Sequence, residues 1–140
     1  MPSLVNREII ETRLRKLRGY LEVLKKLKRL SFKEIEADEF LRAALERYLH
    51  LAIECLLDIG NHIISDKGFR QAGDYREIFL ILGENKVIPK KFAERIAPMG
   101  SFRNILVHDY IELDFRKVYD LLQTHYSDFD RFARFIAKLL

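Results

Sequence analysis

The segment FRNILVHDY, residues 102–110, gathers a fixed positive charge, an amide and a titratable imidazole within two helical turns: Arg103, Asn104 and His108. An imidazole moves protons near neutral pH, and a guanidinium can hold developing negative charge in bidentate fashion. These types suffice to attack a phosphodiester without a metal. Arg103 falls in phase with Phe92, Ile96, Met99 and Leu106 on one helix expected from Pro89 to Val107 or His108. Its charge is thus aimed where its neighbours bury apolar groups, and needs an anionic partner or a wet cleft. Asn104 and His108, four apart, share another face. Arg103 and His108 are five apart, about 140° around an ideal helix. One copy of the chain cannot easily aim both at a single phosphate unless the helix ends at His108, whereas a twofold dimer could bring two copies into a shared groove. Arg-x4-His alone is a weak signal: with 14 Arg and 4 His in 140 positions, chance supplies about 0.4 occurrences.

Other candidates read more plainly as structure. His50, Glu54, Asp58 and His62 follow one another at intervals of four. Each step turns by about 40°, so the ends of the stripe diverge by about 120° and cannot share one ion. A salt-bridged stripe at a helix contact is the better reading. His125 lies in the apolar seam of the last helix and reads as a satisfied core histidine. There is no GxxxxGK[ST] loop, GxGxxG, HExxH, GxSxG or paired CxxC, which disfavours phosphate-loop and dinucleotide enzymes, zinc proteases and serine hydrolases.

The elements that must position these residues are helical throughout, because the apolar spacing is three-and-four and no strict alternation occurs. Ile10, Leu14, Leu17, Leu21 and Leu24 form a seam on a helix over residues 6–30, with Ser31 as its break or cap. A second helix over 37–64 carries Leu41, Leu45, Leu49, Ala52, Leu56, Ile59 and Ile63 on one face. Leu51, Leu57 and Ile64 on its other side imply that it meets protein on two sides. SDKGFRQAGD, residues 65–74, is the main loop. A short helix follows from Tyr75 to about Leu82, then the Pro89 helix. The last helix opens at the N-cap Asp114 and carries Val118, Leu122, His125, Phe129, Phe132, Ile136 and Leu139 in phase. The expected fold is all-α, an up-and-down bundle of four main helices plus one short helix.

At 140 residues, 49% hydrophobic and 33% charged, the chain can remove about 68% of its unfolded surface from water in one core, so a single domain spanning 1–140 is expected and disorder is excluded. The formal charge is +4, and its distribution says more than its size. Between Arg13 and Arg29 stand eight basic residues and one acid, Glu22, a solvated basic face available to an anionic polymer. A lone Cys55, no apolar run long enough to span a bilayer and no secretory signal layout point to a cytoplasmic protein.

Arg103-Asn104, the apolar run Ile105 to Val107, then His108 and Tyr110, at the end of a Pro-opened helix in a small all-α chain, resemble the HepT-like toxin branch of the HEPN superfamily. The motif matches without departure, and the resemblance extends through AIECLLDIGNHII (52–64) and DYREIF (74–79). It implies an HEPN-like bundle and a metal-independent ribonuclease that needs no cofactor. It further implies a homodimer with its cleft between the subunits, and a minimal nucleotidyltransferase of the MNT type as antitoxin. Under that resemblance Arg103 and His108 are catalytic, Asn104 positions RNA or nucleotide, and Tyr110 accepts AMP from the antitoxin. A packed tyrosine anchoring the turn is an equally good account of Tyr110. The rival function is a non-catalytic nucleotide-binding or adaptor subunit of the nucleotidyltransferase pair.

Overall fold

The computed structural model describes residues 4–108 and 114–140, with side chains described for 7–107 and 114–140. Among the described residues there are helices and no strands. They are α1 (Leu4–Lys28), α2 (Phe32–Glu36), α3 (Glu39–Lys67), α4 (Tyr75–Glu84), α5 (Lys90–Ile96), α6 (Pro98–His108) and α7 (Phe115–Leu139). The long helices α1, α3 and α7 make the bundle; α4 and α6 pack on the remaining side of α3 and on each other, and α5 packs on α4 and α6.

α3 is the central post. It touches α1, α2, α4, α6 and α7, which explains why its apolar residues are not confined to one stripe. The expected face is buried at Leu45, Leu49, Ala52, Leu56, Ile59 and Ile63, and Ile53, Cys55, Leu57 and Ile64 are buried around it. Each fully buried Leu, Ile or Phe removes apolar surface worth about 1.5–3 kcal/mol. Its ends are closed locally: Asp38 accepts from the Phe40 and Leu41 amides at 2.9 and 3.2 Å. Gly68 ends the helix in the left-handed conformation at φ 68°, where a side chain would strain the backbone.

α1 buries Ile10, Leu17 and Leu24 completely and leaves Leu14 and Leu21 half-buried against the core. The seam of α7 is buried at Val118, Leu122, Phe129, Phe132 and Ile136, behind the N-cap Asp114, which accepts from the Arg116 amide at 3.0 Å. α7 also finishes the end of α1. The Tyr119 hydroxyl donates to the Leu30 carbonyl and the Gln123 amide to the Lys28 carbonyl, both at 3.0 Å, satisfying acceptors that the helix itself cannot.

The all-α architecture is the expected one, with three local differences. Residues 32–36 form the extra helix α2, closed by a reciprocal Ser31–Glu34 capping box. α3 continues to Lys67, shortening the main loop. The helix expected from Pro89 to His108 is two helices. Pro98 cannot donate an amide and its ring crowds the preceding turn, so α5 stops at Ile96 and α6 starts afresh at Pro98. The phase that joined Phe92 and Ile96 to Arg103 therefore does not run through; within α6, Arg103 lies between Met99 and Leu106, both buried.

Candidate active site

α6 crosses α3 and the start of α4, and Arg103 projects into that junction. Its Nε donates to Glu54 Oε1 on α3 at 2.5 Å, and its guanidinium stacks over the Tyr75 ring of α4, 4.8 Å from the centroid. Nη1 reaches Asn104 Oδ1 at 3.4 Å, and among the described residues Nη2 donates to no protein acceptor. The side chains of Arg103 and Glu54 are 19% and 32% exposed, so the pair sits in a wet cleft rather than in the core. The anionic partner that the sequence demands for Arg103 is thus Glu54. Its hydrogen bond raises the guanidinium pKa above its ordinary value and keeps the charge fixed.

The local sequence explains why α6 comes so close. A Cβ on Gly100 would stand 2.6–2.8 Å from the Tyr75 carbonyl carbon and oxygen and the Arg76 nitrogen, so any larger residue would push α6 off α4. The start of α4 is itself fixed. Asp74 accepts from the Glu77 amide at 2.9 Å, and Arg70 holds Glu77 and Glu84 at 3.0 and 2.7 Å.

Three members of the four-residue stripe on α3, His50, Glu54 and Asp58, are held by ion pairs or hydrogen bonds, as the spacing suggests. His50 Nε2 stands 3.5 Å from Glu54 Oε1, Arg47 Nη1 is 3.4 Å from His50 Nδ1, and Arg13 of α1 bridges to Asp58 at 3.2 Å. Among the described residues no three His, Cys, Asp or Glu side chains gather as metal ligands. Ala43, Arg47, His50, Leu106 and Val107 line a shallow groove between α3 and α6, adjoining the Arg103–Glu54 pair.

Of the sequence-identified residues, Arg103 and Asn104 meet directly. α6 carries helical backbone as far as His108, so positions 103 and 108 lie on different faces of one helix. The side chain of His108, and Tyr110 altogether, lie outside the described residues. Sequence reasoning missed Tyr75 and Gly100, and it read Glu54 only as part of a stripe. The DYREIF segment carried Tyr75, but its contact with Arg103 joins different helices and leaves no spacing to detect.

His125 is a satisfied core histidine: its Nδ1 lies 2.8 Å from Asp128 Oδ2. Asp128 is buried and is also held by Arg95 at 2.9 Å and Arg131 at 3.3 Å. Among the described residues no helix is long and apolar enough to cross a membrane.

Residues 10–136 match the model of the family described as ribonuclease HepT-like. The chain is 30% identical over 132 residues to the tRNA nuclease HepT of Aphanizomenon flos-aquae, covering 94% of this chain and 90% of that protein. Its fold superposes on the cytosolic protein YutE of Bacillus subtilis with a TM-score of 0.84 at 29% identity, over 96% and 90% of the two chains. It also superposes on a tri-AMPylated HEPN toxin of Shewanella oneidensis, solved in complex with MNT antitoxin, with a TM-score of 0.83 at 25% identity over 93% and 97%. With the Arg-Asn-x3-His motif on α6 and a family match spanning nearly the whole chain, this protein belongs to the ribonuclease HepT-like family.

Proposed function

We propose that the protein is a metal-independent RNA endonuclease, the toxin of a toxin–antitoxin pair, acting in the cytoplasm as a homodimer with its cleft between the subunits. Arg103 and His108 are its catalytic residues and Asn104 positions the RNA. The observation that carries this reading is the Arg103 guanidinium. It is anchored on one edge by Glu54 and on one face by Tyr75, and its Nη groups remain able to grip two phosphate oxygens.

The reaction needs no outside nucleophile. The substrate's 2′-hydroxyl gives up its proton to an imidazole, and its oxygen bonds to phosphorus while the bond from phosphorus to the 5′-oxygen breaks. That oxygen takes a proton as it leaves, producing a cyclic phosphate and a free 5′-hydroxyl. His108 serves proton transfer and Arg103 stabilises the charge that develops on the phosphoryl oxygens. The divergence of positions 103 and 108 on α6 is met in a dimer, where two copies of the helix face one cleft. Exposed cations of α1, including Arg15, Lys16 and Arg18, track RNA phosphates.

The partner is an MNT-type nucleotidyltransferase antitoxin that transfers AMP to Tyr110. The tri-AMPylated state of the Shewanella relative supports this mode of neutralisation. An added phosphate-linked nucleoside two residues from His108 would compete with RNA by charge and bulk.

The test is RNA cleavage with EDTA present, by protein made alone and together with its antitoxin, alongside intact masses. The expected result is cleavage by the unmodified protein, its loss in His108→Ala, and inactive co-expressed protein heavier by AMP on Tyr110. Cleavage by His108→Ala at the wild-type rate would overturn the assignment. Protein that binds nucleotide but leaves RNA whole would instead make it an adaptor.

A further inference from the structure

An arginine side chain carries many rotamers, so a guanidinium that must meet a phosphoryl group in one orientation needs support. Arg103 is supported from two directions. Glu54 takes the Nε–H at 2.5 Å, which fixes one edge, and the Tyr75 ring lies 4.8 Å beneath the guanidinium carbon, which fixes the plane. The remaining edge carries Nη1, which also reaches Asn104 Oδ1 at 3.4 Å, and Nη2.

Tyr75 is itself placed by backbone rather than by chance packing. It is the first residue of α4, directly after the capping Asp74. Gly100, one helical turn before Arg103, lies so close to the Tyr75 and Arg76 main chain that a Cβ would meet it at 2.6–2.8 Å. This approach brings the root of Arg103 over the Tyr75 ring. Glycine is therefore required at 100 for clearance and an aromatic at 75 for its face, where the ring quadrupole attracts the cation.

We infer that Tyr75 is a positioning residue acting through Arg103: its ring, seated by the close approach at Gly100, holds the guanidinium plane so that the Nη1–Nη2 edge meets the non-bridging oxygens of the scissile phosphate. The inference rests on the proposed role of Arg103 in RNA cleavage. The competing account is that Tyr75 merely fills space, since its ring is also half-buried against the core.

Substitutions separate the two. Tyr75→Phe keeps the ring, while Tyr75→Leu and Tyr75→Met keep apolar bulk without an aromatic face. In steady-state RNA cleavage, Tyr75→Phe is expected within about twofold of wild type. Tyr75→Leu should lower kcat about tenfold with KM changed less than about threefold, because a misaligned guanidinium loses the transition state more than the bound substrate. Tyr75→Met is measured in parallel, so that a folding defect in one replacement does not decide the outcome; helical content and Tm are followed for each. Folded Leu or Met variants that cleave at the wild-type rate would overturn the inference, as would a Phe variant as impaired as they are. Arg103→Ala belongs in the same series. If it cleaves normally, the role given to Arg103 fails, whereas a dead Arg103→Ala beside a fully active Tyr75→Leu refutes the positioning role alone.

Discussion

Two clusters in this molecule use the same three residue types, a carboxylate between an arginine and a histidine, toward opposite ends. At the α5–α7 contact, Asp128 is 1% exposed and both its oxygens are engaged: Oδ2 by Arg95 and His125, Oδ1 by Arg131. Arg95 also donates to the Thr124 carbonyl at 3.1 Å, and Arg131 stacks 4.5 Å from the centre of the Phe92 ring. Every strong acceptor is matched. At the α3–α6 contact, Glu54 is a third exposed, holds Arg103 through a single oxygen, and leaves the outer edge of the guanidinium facing the cleft. A closed network of charges stabilises a helix contact, whereas one left open on its cationic side can take an anion.

The two clusters are expected to respond in opposite ways to truncation. Arg103→Ala should reduce RNA cleavage at least about a hundredfold, the scale of removing one stabilising group from a transition state, with little change in Tm. Asp128→Ala should do the reverse. Stranding two guanidiniums that still reach solvent costs about 2–4 kcal/mol of stability, while the protein that remains folded keeps its wild-type kcat. Paired thermal melts and cleavage assays read both effects, and a Tm collapse in Arg103→Ala would make its pair structural after all.

A finer cut comes from Glu54→Gln, which keeps a hydrogen-bond acceptor but removes the charge. Charge-assisted bonds are about twice as strong as neutral ones, so kcat is expected to fall about tenfold while helical content is unchanged. Full activity in this variant would mean that the charge of Glu54 is not needed to hold the guanidinium.

The two clusters differ in how far they were legible beforehand. Arg103, Asn104 and His108 sit within one helix, where their types suggest a chemistry, but the spacing is weak alone and it is the family resemblance around them that singles them out. Glu54 and Arg103 are 49 positions apart, and no periodicity within either helix links them; only the crossing of α3 and α6 does. Asp128 looks like any charged residue beside the α7 seam until α5 docks over it. Among the helices, α1, α3 and α7 were readable because sustained three-and-four spacing leaves little choice of buried face. Ser31 is legible as a break or cap, but the five-residue helix that it opens is too short to show a period of its own. The interruption at Pro98 is outweighed by apolar spacing that runs on past it, and spacing does not register where a backbone ladder breaks.

A third arginine–carboxylate cluster lies further toward solvent, with Arg70 48% and Glu84 50% exposed. Arg70 holds Glu77 and Glu84, and its hydrogen bonds, with the Gly73 amide adding to Glu77, lower both carboxyl pKa values. Carboxyls depressed in the folded state contribute stability that is present above their unfolded pKa and is lost as pH falls through the folded one. Amide protection across residues 68–77, relative to the intrinsic exchange rate at each pH, should therefore fall on acidification below about pH 4, and Arg70→Ala should flatten that dependence. Equal protection at pH 3 and pH 6 would remove the clamp from the account.

The smallest effect concerns Cys55, the neighbour of Glu54 on the buried side of α3. Burial pushes its thiol up to about 11, so at pH 8 it is almost wholly protonated and should react with a thiol reagent far more slowly than a free cysteine, quickening only on unfolding. Rapid labelling of the native protein would mean that this side of α3 opens to solvent as readily as the cleft.

The hydrogen bonds from Tyr119 and Gln123 to the end of α1 have a consequence for the order of events during synthesis. The carbonyls of Lys28 and Leu30 emerge from the ribosome early and wait, hydrated, until a helix made some ninety residues later supplies their donors. Until then α1 lacks α7 as its second neighbour. The bundle that holds α6 in place therefore closes only after α7 has been translated, and a nascent chain stalled before Asp114 exposes a sticky, half-built core to chaperones and proteases instead of a finished cleft.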